Sequence, residues 1–258
     1  MTLRTIYIIA TIAALVCLSG CGKTEGPSTE TPAAPPAAVT KVDPATAATI
    51  TGKVTLAGKG PTRSRISMDA EPDCKALHSA PVLTEEVVTG PNGALANVFV
   101  YVKGGLEGKS FEPPAGSASL DQKGCTYRPH VFGVRAGQAV SIANSDPTTH
   151  NVHPMPGINR EWNTSQPPRA ANLERTFPRP EIMIPVKCNV HPWMKSYIGV
   201  VDHPFFAVTG EQGTFELQGL PPGDYTVAAW HEKYGTADQK VTLAAAATQA
   251  IEFSFKGE

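Results

Sequence analysis

The sequence predicts an all-β protein, and three observations carry that prediction. Glycine (23) and proline (24) are frequent for 258 residues, which suits a turn-rich chain. Short Val/Thr-rich runs alternate apolar and polar residues with period two. Turn signals separate these runs at short intervals, and no long helical period intervenes. Hydrophobic residues make up 41% of the chain, enough for one or two cores. The formal net charge of −1 provides no electrostatic footprint for nucleic acid.

The elements follow in order. Arg4 precedes the apolar run Ile6–Leu18, which has signal-peptide length and is short for a bilayer span. The run ends in L-S-G-C (Leu18–Cys21), which resembles the lipobox of bacterial lipoproteins. That resemblance implies cleavage after residue 20 and a lipid on Cys21, which would anchor the chain durably. It also implies a bacterial envelope location facing the periplasm, and Gly22 in place of Asp favours the outer membrane. Residues 21–48 are rich in Pro, Ala, Ser and Thr without an apolar period, and are expected to form a disordered tether.

From residue 49 on, strands are expected. Ile50–Leu56 and Ala96–Lys103 alternate, with Val98, Val100 and Val102 on one face. Cys74–Val88 offers at most a short helix. Arg128–Asn144 reads as two strands around an Ala136-Gly137 turn, and Gly157–Asn172 as irregular. Glu174–Pro178 and Glu181–Cys188 are strands, the second placing Ile182, Ile184, Val186 and Cys188 on one inward face. Six more runs follow: Tyr197–Asp202, Phe205–Thr209, Thr214–Gln218, Asp224–His231, Gln239–Leu243 and Gln249–Phe255.

Cysteine arithmetic isolates one thiol. Cys17 leaves with the signal peptide and Cys21 carries lipid, so Cys74, Cys125 and Cys188 remain. Pairing Cys74 with Cys125 leaves Cys188 reduced. The alternative is a second Cys/His metal site, since His78 and His130 lie near those cysteines, although the spacings fit no zinc motif.

Cys188 belongs to K-C-N-V-H-P-W-M, which gathers a thiol, an imidazole (His191) and a thioether (Met194) in one loop. With a second imidazole these are the donors of a blue-copper centre, because a trigonal S,N,N plane with a weak thioether serves both copper oxidation states. The second imidazole is expected from N-S-D-P-T-T-H-N-V, at His150.

These two segments resemble the cupredoxins, over roughly 117–202, and the short ligand loop is most similar to that of amicyanin. The resemblance implies a Greek-key sandwich carrying one type 1 copper, with His150, Cys188 and His191 equatorial and Met194 axial. It assigns Asn151 to a supporting position, bonding the cysteine sulfur and tying the two loops. His153 departs from the pattern. Strand alternation turns it away from His150, and a turn at that point would make it an extra ligand. The resemblance further implies a docking collar around the exposed edge of His191, here Pro192, Trp193 and Met155.

T-G-E-Q-G-T-F-E-L-Q-G-L-P-P-G-D-Y-T-V resembles a second family, the carboxypeptidase-regulatory-like (transthyretin-like) sandwiches, through Gly213, Phe215, Leu217, Leu220, Pro222, Gly223 and Tyr225. The first strand of that sandwich is expected at Ile50. Segments 49–116 and 203–258 would then form one sandwich, with the cupredoxin segment 117–202 inserted. His203, His231 and Glu232 are expected to be structural, since no catalytic constellation is present.

The expected function is single-electron transfer without substrate turnover. The expected partner is a redox protein such as a c-type cytochrome or a respiratory or dehydrogenase complex. A copper storage or delivery lipoprotein, and a structural or carbohydrate-binding envelope lipoprotein, are the alternatives.

Overall fold

The computed structural model describes residues 38–257. The expected signal peptide, Cys21 and most of the tether lie outside them. The last part of the expected tether is ordered instead. Thr40 N–H donates to Ser110 O at 2.6 Å, and the Asp43 carboxylate and carbonyl hold a turn through residues 45–47. Local turn chemistry and strand contact fix a stretch whose composition alone suggests disorder.

Sixteen strands follow. The first is β1 (Ala48–Ala57), and after a long excursion comes β2 (Phe99–Gly104). The excursion contains one five-residue helix, α1 (Pro72–Ala76). Next come β3 (Ala118–Gln122), β4 (Tyr127–Arg128), β5 (Val131–Arg135) and β6 (Ala139–Asn144). They lead to β7 (His150–Pro154), β8 (Thr164–Gln166), β9 (Leu173–Thr176), β10 (Glu181–Lys187) and β11 (Lys195–Val201). The chain ends with β12 (Phe206–Val208), β13 (Thr214–Leu220), β14 (Gly223–His231), β15 (Gly235–Leu243) and β16 (Thr248–Lys256).

Two sandwiches result, and the fold is all-β as expected. The sheets β13-β1-β16 and β12-β2-β14-β15 enclose one core, containing Ile50, Val54, Val98, Val100, Val102, Leu217 and Phe253. The sheets β5-β11-β10-β7-β8 and β4-β3-β6-β9 enclose the other, with Leu120, Tyr127, Ile142, Ile184 and Ile198. All strands of the second sandwich lie between β2 and β12, so it is inserted into the first.

The sandwiches join through β2. Alternation along β2 and the residue before it sends Val98, Val100 and Val102 into the outer core and Phe99 and Tyr101 to the opposite side. Phe99 and Tyr101 meet Val131, Val201 and Met183 of the inserted sandwich there. Gly133 and Gly199 leave room for these rings: a Cβ on Gly199 would lie 2.5 Å from Phe99 Cζ. Beside this apolar seam His130 Nε2 meets Glu232 Oε1 at 2.5 Å, both side chains nearly buried.

β10 departs from simple alternation. Met183 has a positive φ of 61°, and the pairing with β11 shifts register between Glu181 and Ile184. This β-bulge turns Ile182 to the surface and Met183 inward, so Ile182 is not on the inward face expected from period two. Beyond the bulge the alternation resumes, and Ile184, Val186 and Cys188 are buried.

Candidate metal centre

The centre lies at one end of the inserted sandwich. β10 leads into Cys188, the loop turns through His191, and Met194 returns into β11. Cys188 N–H donates to Met194 O at 3.3 Å, and Met194 N–H to His191 O at 3.0 Å, which closes the loop on itself. His150 begins β7, which pairs with β10. The turn before it is held by Asn144, whose Nδ2 donates to Thr148 O at 2.9 Å and to Gln166 O at 2.8 Å. Tyr127 Oη donates to the carbonyls of Asn151 and Lys187, bridging both ligand strands from the core.

Ligand atoms of His150, Cys188 and His191 lie within 4.8 Å of one another. Nδ1 of His150 is 2.9 Å from Nδ1 of His191, and Cys188 Sγ is 3.7 Å from the latter. Two imidazole nitrogens and a sulfur therefore come together, a donor set that fits a soft or borderline cation. Met194 is buried beside them, and all four side chains are at most 2% exposed.

The donors are held from outside. His150 Nε2 donates to Asp146 Oδ2 at 2.9 Å. Asp146 also accepts from Gly124 N–H at 2.6 Å and Cys125 N–H at 2.7 Å. Asn151 Oδ1 accepts from Asn189 N–H at 2.6 Å and lies 3.3 Å from Cys188 Sγ, tying β7 to the loop. His191 N–H points at Cys188 Sγ from 3.4 Å.

The electrostatics favour metal-ready forms at Cys188 and His191, whereas at His150 burial acts downward but Asp146 and Cys188 outweigh it and hold the imidazole above its ordinary value, so a metal would displace a proton there. For Cys188, burial pushes the thiol up, but the His150 imidazole and the N–H groups of Asn151, His191 and Val190 outweigh it, so the thiol is held below its ordinary value. Burial and then the neighbouring His150 charge hold His191 below its ordinary value, keeping a lone pair free. For Asp146 burial acts upward, yet His150 and the two backbone donors hold the carboxyl lower.

Cys74 and Cys125 form a disulfide. His78 Nε2 bonds Gly124 O at 2.8 Å and His130 faces Glu232, so neither histidine joins those sulfurs. The disulfide covers the candidate donors: Cys74 Sγ is 3.5 Å from His191 Nε2. Trp193 packs on the His191 ring at 5.2 Å and donates from Nε1 to Cys125 O at 2.9 Å. The expected exposed edge of His191 is therefore absent, because a segment distant in sequence folds over it. Pro192 and Met155 remain exposed, and Trp193 is half-buried.

His153 stands apart from the donors. It points out of β7 and pairs with Glu161 Oε1 at 2.6 Å and Asn189 Oδ1 at 3.3 Å. The strand continues through it, so the turn that an extra ligand requires does not form. Asp146, Tyr127 and the cover over His191 were not legible as site residues. The carboxylate four residues before His150 was the one local signal.

The C-terminal strands of the outer sandwich have a family match. Residues 200–256 match the family model of the carboxypeptidase regulatory-like domain. Within that regulatory-like sandwich, His203 Nε2 bonds Val102 O at 2.7 Å and His231 Nδ1 accepts from Lys233 N–H at 3.1 Å, both as buried structural groups. No curated protein matches this chain. Among solved structures, the chain is similar to a copper-containing nitrite reductase (NirK) from Thermus scotoductus SA-01, at 20% identity and a TM-score of 0.30. That match covers 39% of this chain and 25% of the reductase, so the chain spans a quarter of that relative. It is also similar to a methionine-to-alanine mutant of amicyanin in its Cu(I) form, at 23% identity and a TM-score of 0.30, covering 34% of this chain and 86% of amicyanin. A reduced tryptophan-to-tyrosine mutant of amicyanin matches at 24% identity with the same TM-score and coverage.

Proposed function

We propose that this chain is a type 1 copper protein that passes single electrons between redox partners of a bacterial cell envelope. The buried cluster of His150, Cys188 and His191, with Met194 closing the same loop, carries this reading. Copper would be held by these four side chains and would supply a one-electron couple. The chain's part is to keep those positions fixed. Asp146 orients His150, Asn151 links the two ligand segments, and burial excludes water. No substrate turnover is part of the proposal. A lipid on Cys21 would hold the protein on a membrane, the outer one favoured, facing the periplasm. A c-type cytochrome or a respiratory or dehydrogenase complex would exchange electrons with it.

The test is an absorption spectrum of the copper-loaded chain. An intense thiolate band near ~600 nm with a reversible couple is expected for a trigonal His2Cys site. Substituting Cys188→Ser should abolish the colour, because a hydroxyl does not replace the soft thiolate. A wild-type chain without that band sinks the reading. Mass spectrometry of the N-terminal peptide tests acylation of Cys21.

A second reading, copper storage or delivery, is favoured by one observation. His191 is sealed behind the Cys74–Cys125 disulfide and not open to a partner. Stopped-flow mixing with a reduced c-type cytochrome separates the two: electron transfer within milliseconds supports the carrier, and retained copper with no transfer supports storage.

A further inference from the structure

We propose that Cys74 and Cys125, once their disulfide is opened, form a second soft-metal site on the Nε2 side of His191. The site rests on the reading of the inner donors as copper ligands, which assigns Nδ1 of the same ring to the first metal.

The geometry is already assembled. Ligand atoms of Cys74, Cys125 and His191 lie within 4.8 Å of one another, and all three residues are buried. Cys74 Sγ sits 3.5 Å from His191 Nε2, on the opposite edge of the ring from Cys188. A third overlapping group, Cys125 with Asp146 and His150, extends the same cluster. The disulfide is thus a pair of masked soft ligands in contact with a metal-ligating ring. Its cover is thin. In α1 only Cys74 is buried, while Pro72, Asp73, Lys75 and Ala76 are exposed. Cys74 thus sits on the underside of a single exposed turn, which an attacking thiolate meets first.

The unmasking step is thiol–disulfide exchange with a dithiol reductant. One thiolate of the reductant attacks a sulfur of the pair, the S–S bond breaks, and a mixed disulfide forms. The second thiol of the reductant resolves it. Two electrons and two protons pass to Cys74 and Cys125, and the reductant leaves as its disulfide. Cu(I) then displaces the two thiol protons and binds between the thiolates, the ligand type that selects Cu(I). With the inner site filled, His191 Nε2 keeps its proton and remains a hydrogen-bond donor to Cys74. With the inner site empty, the neutral ring can offer Nε2 as a third donor. A metal held there is one imidazole away from the inner donors.

Anaerobic Cu(I) titration against a Cu(I) chelator tests this, using the full apo chain with Cys17→Ser and Cys21→Ser so that no other thiols compete. The chain is compared with its disulfide intact and after dithiothreitol treatment and desalting. One copper per chain is expected with the disulfide intact and two after reduction. The double substitution Cys74→Ser, Cys125→Ser should hold one copper under both conditions. Cys188→Ser should hold the inner copper more weakly, through His150, His191 and Met194 alone, and should still gain one tightly bound copper after reduction. A reduced wild-type chain that still holds one copper overturns the second site, and needs no substitution. So does a second copper that survives the double substitution, or one bound no more tightly than by the denatured reduced chain. A distinct result would fail the inner site alone: no copper on the intact wild-type chain, with one on reduced Cys188→Ser.

Discussion

The two candidate histidine ligands are held by unlike groups. The Nε2 of His150 faces a carboxylate that is itself fixed by two backbone N–H groups. The Nε2 of His191 faces a disulfide sulfur. The Asp146→Asn substitution should therefore weaken copper binding by about 10–100-fold, since outer partners of metal-bound imidazoles carry that much affinity. Competition against a chelator measures it, and an unchanged affinity would remove Asp146 from the positioning role. His231 gives a pH prediction independent of the metal. Burial, the leading cause, pulls its folded value down from 6.5 to about 4. Between those values the unfolded chain binds a proton that the folded chain refuses. Stability is complete above about 6.5 and falls as the pH drops toward 4, by a total of about 3 kcal/mol. Urea midpoints across that range should fall less steeply in His231→Gln, and equal slopes would show that another group dominates.

At the scale of the element, local pattern predicted well wherever one period ran without interruption. Val98, Val100 and Val102 share a core, and Cys188 points inward at the end of β10. Pattern failed at Ile182, because the bulge at Met183 adds a residue that no alternation rule anticipates. The donor loop was readable since three of its side chains lie within seven residues and the fourth opens a neighbouring strand. The cover over His191 was not readable: Cys74 is 117 residues away, and only the tertiary fold brings it there. The glycines of β5 and β11 were equally silent in the sequence. Gly199→Ala would press a methyl group against Phe99, a ring that is fully buried and has nowhere to go. Overpacking of this kind costs about 1–3 kcal/mol. Urea denaturation should register the loss, and a neutral result would mean that the β2 and β11 backbones separate easily.

The described residues form two cores and one seam. Phe99 sits in the seam and belongs to neither core. Phe99→Ala should cost about 3–5 kcal/mol, and calorimetry should resolve two unfolding transitions as the sandwiches uncouple. A single transition would mean that the His130–Glu232 contact and the covering excursion suffice to join them. The topology also has a consequence for synthesis. β1 lies between β13 and β16, so the first strand of the outer sandwich has no neighbour until β13 is made and lacks the second until β16 follows. The inserted sandwich is complete once Val201 has emerged. At ordinary translation speeds the interval before Lys256 is roughly 3–11 s. A nascent chain can therefore present a finished donor cluster, with Cys74 and Cys125 already made, while the sandwich that carries it is still half built.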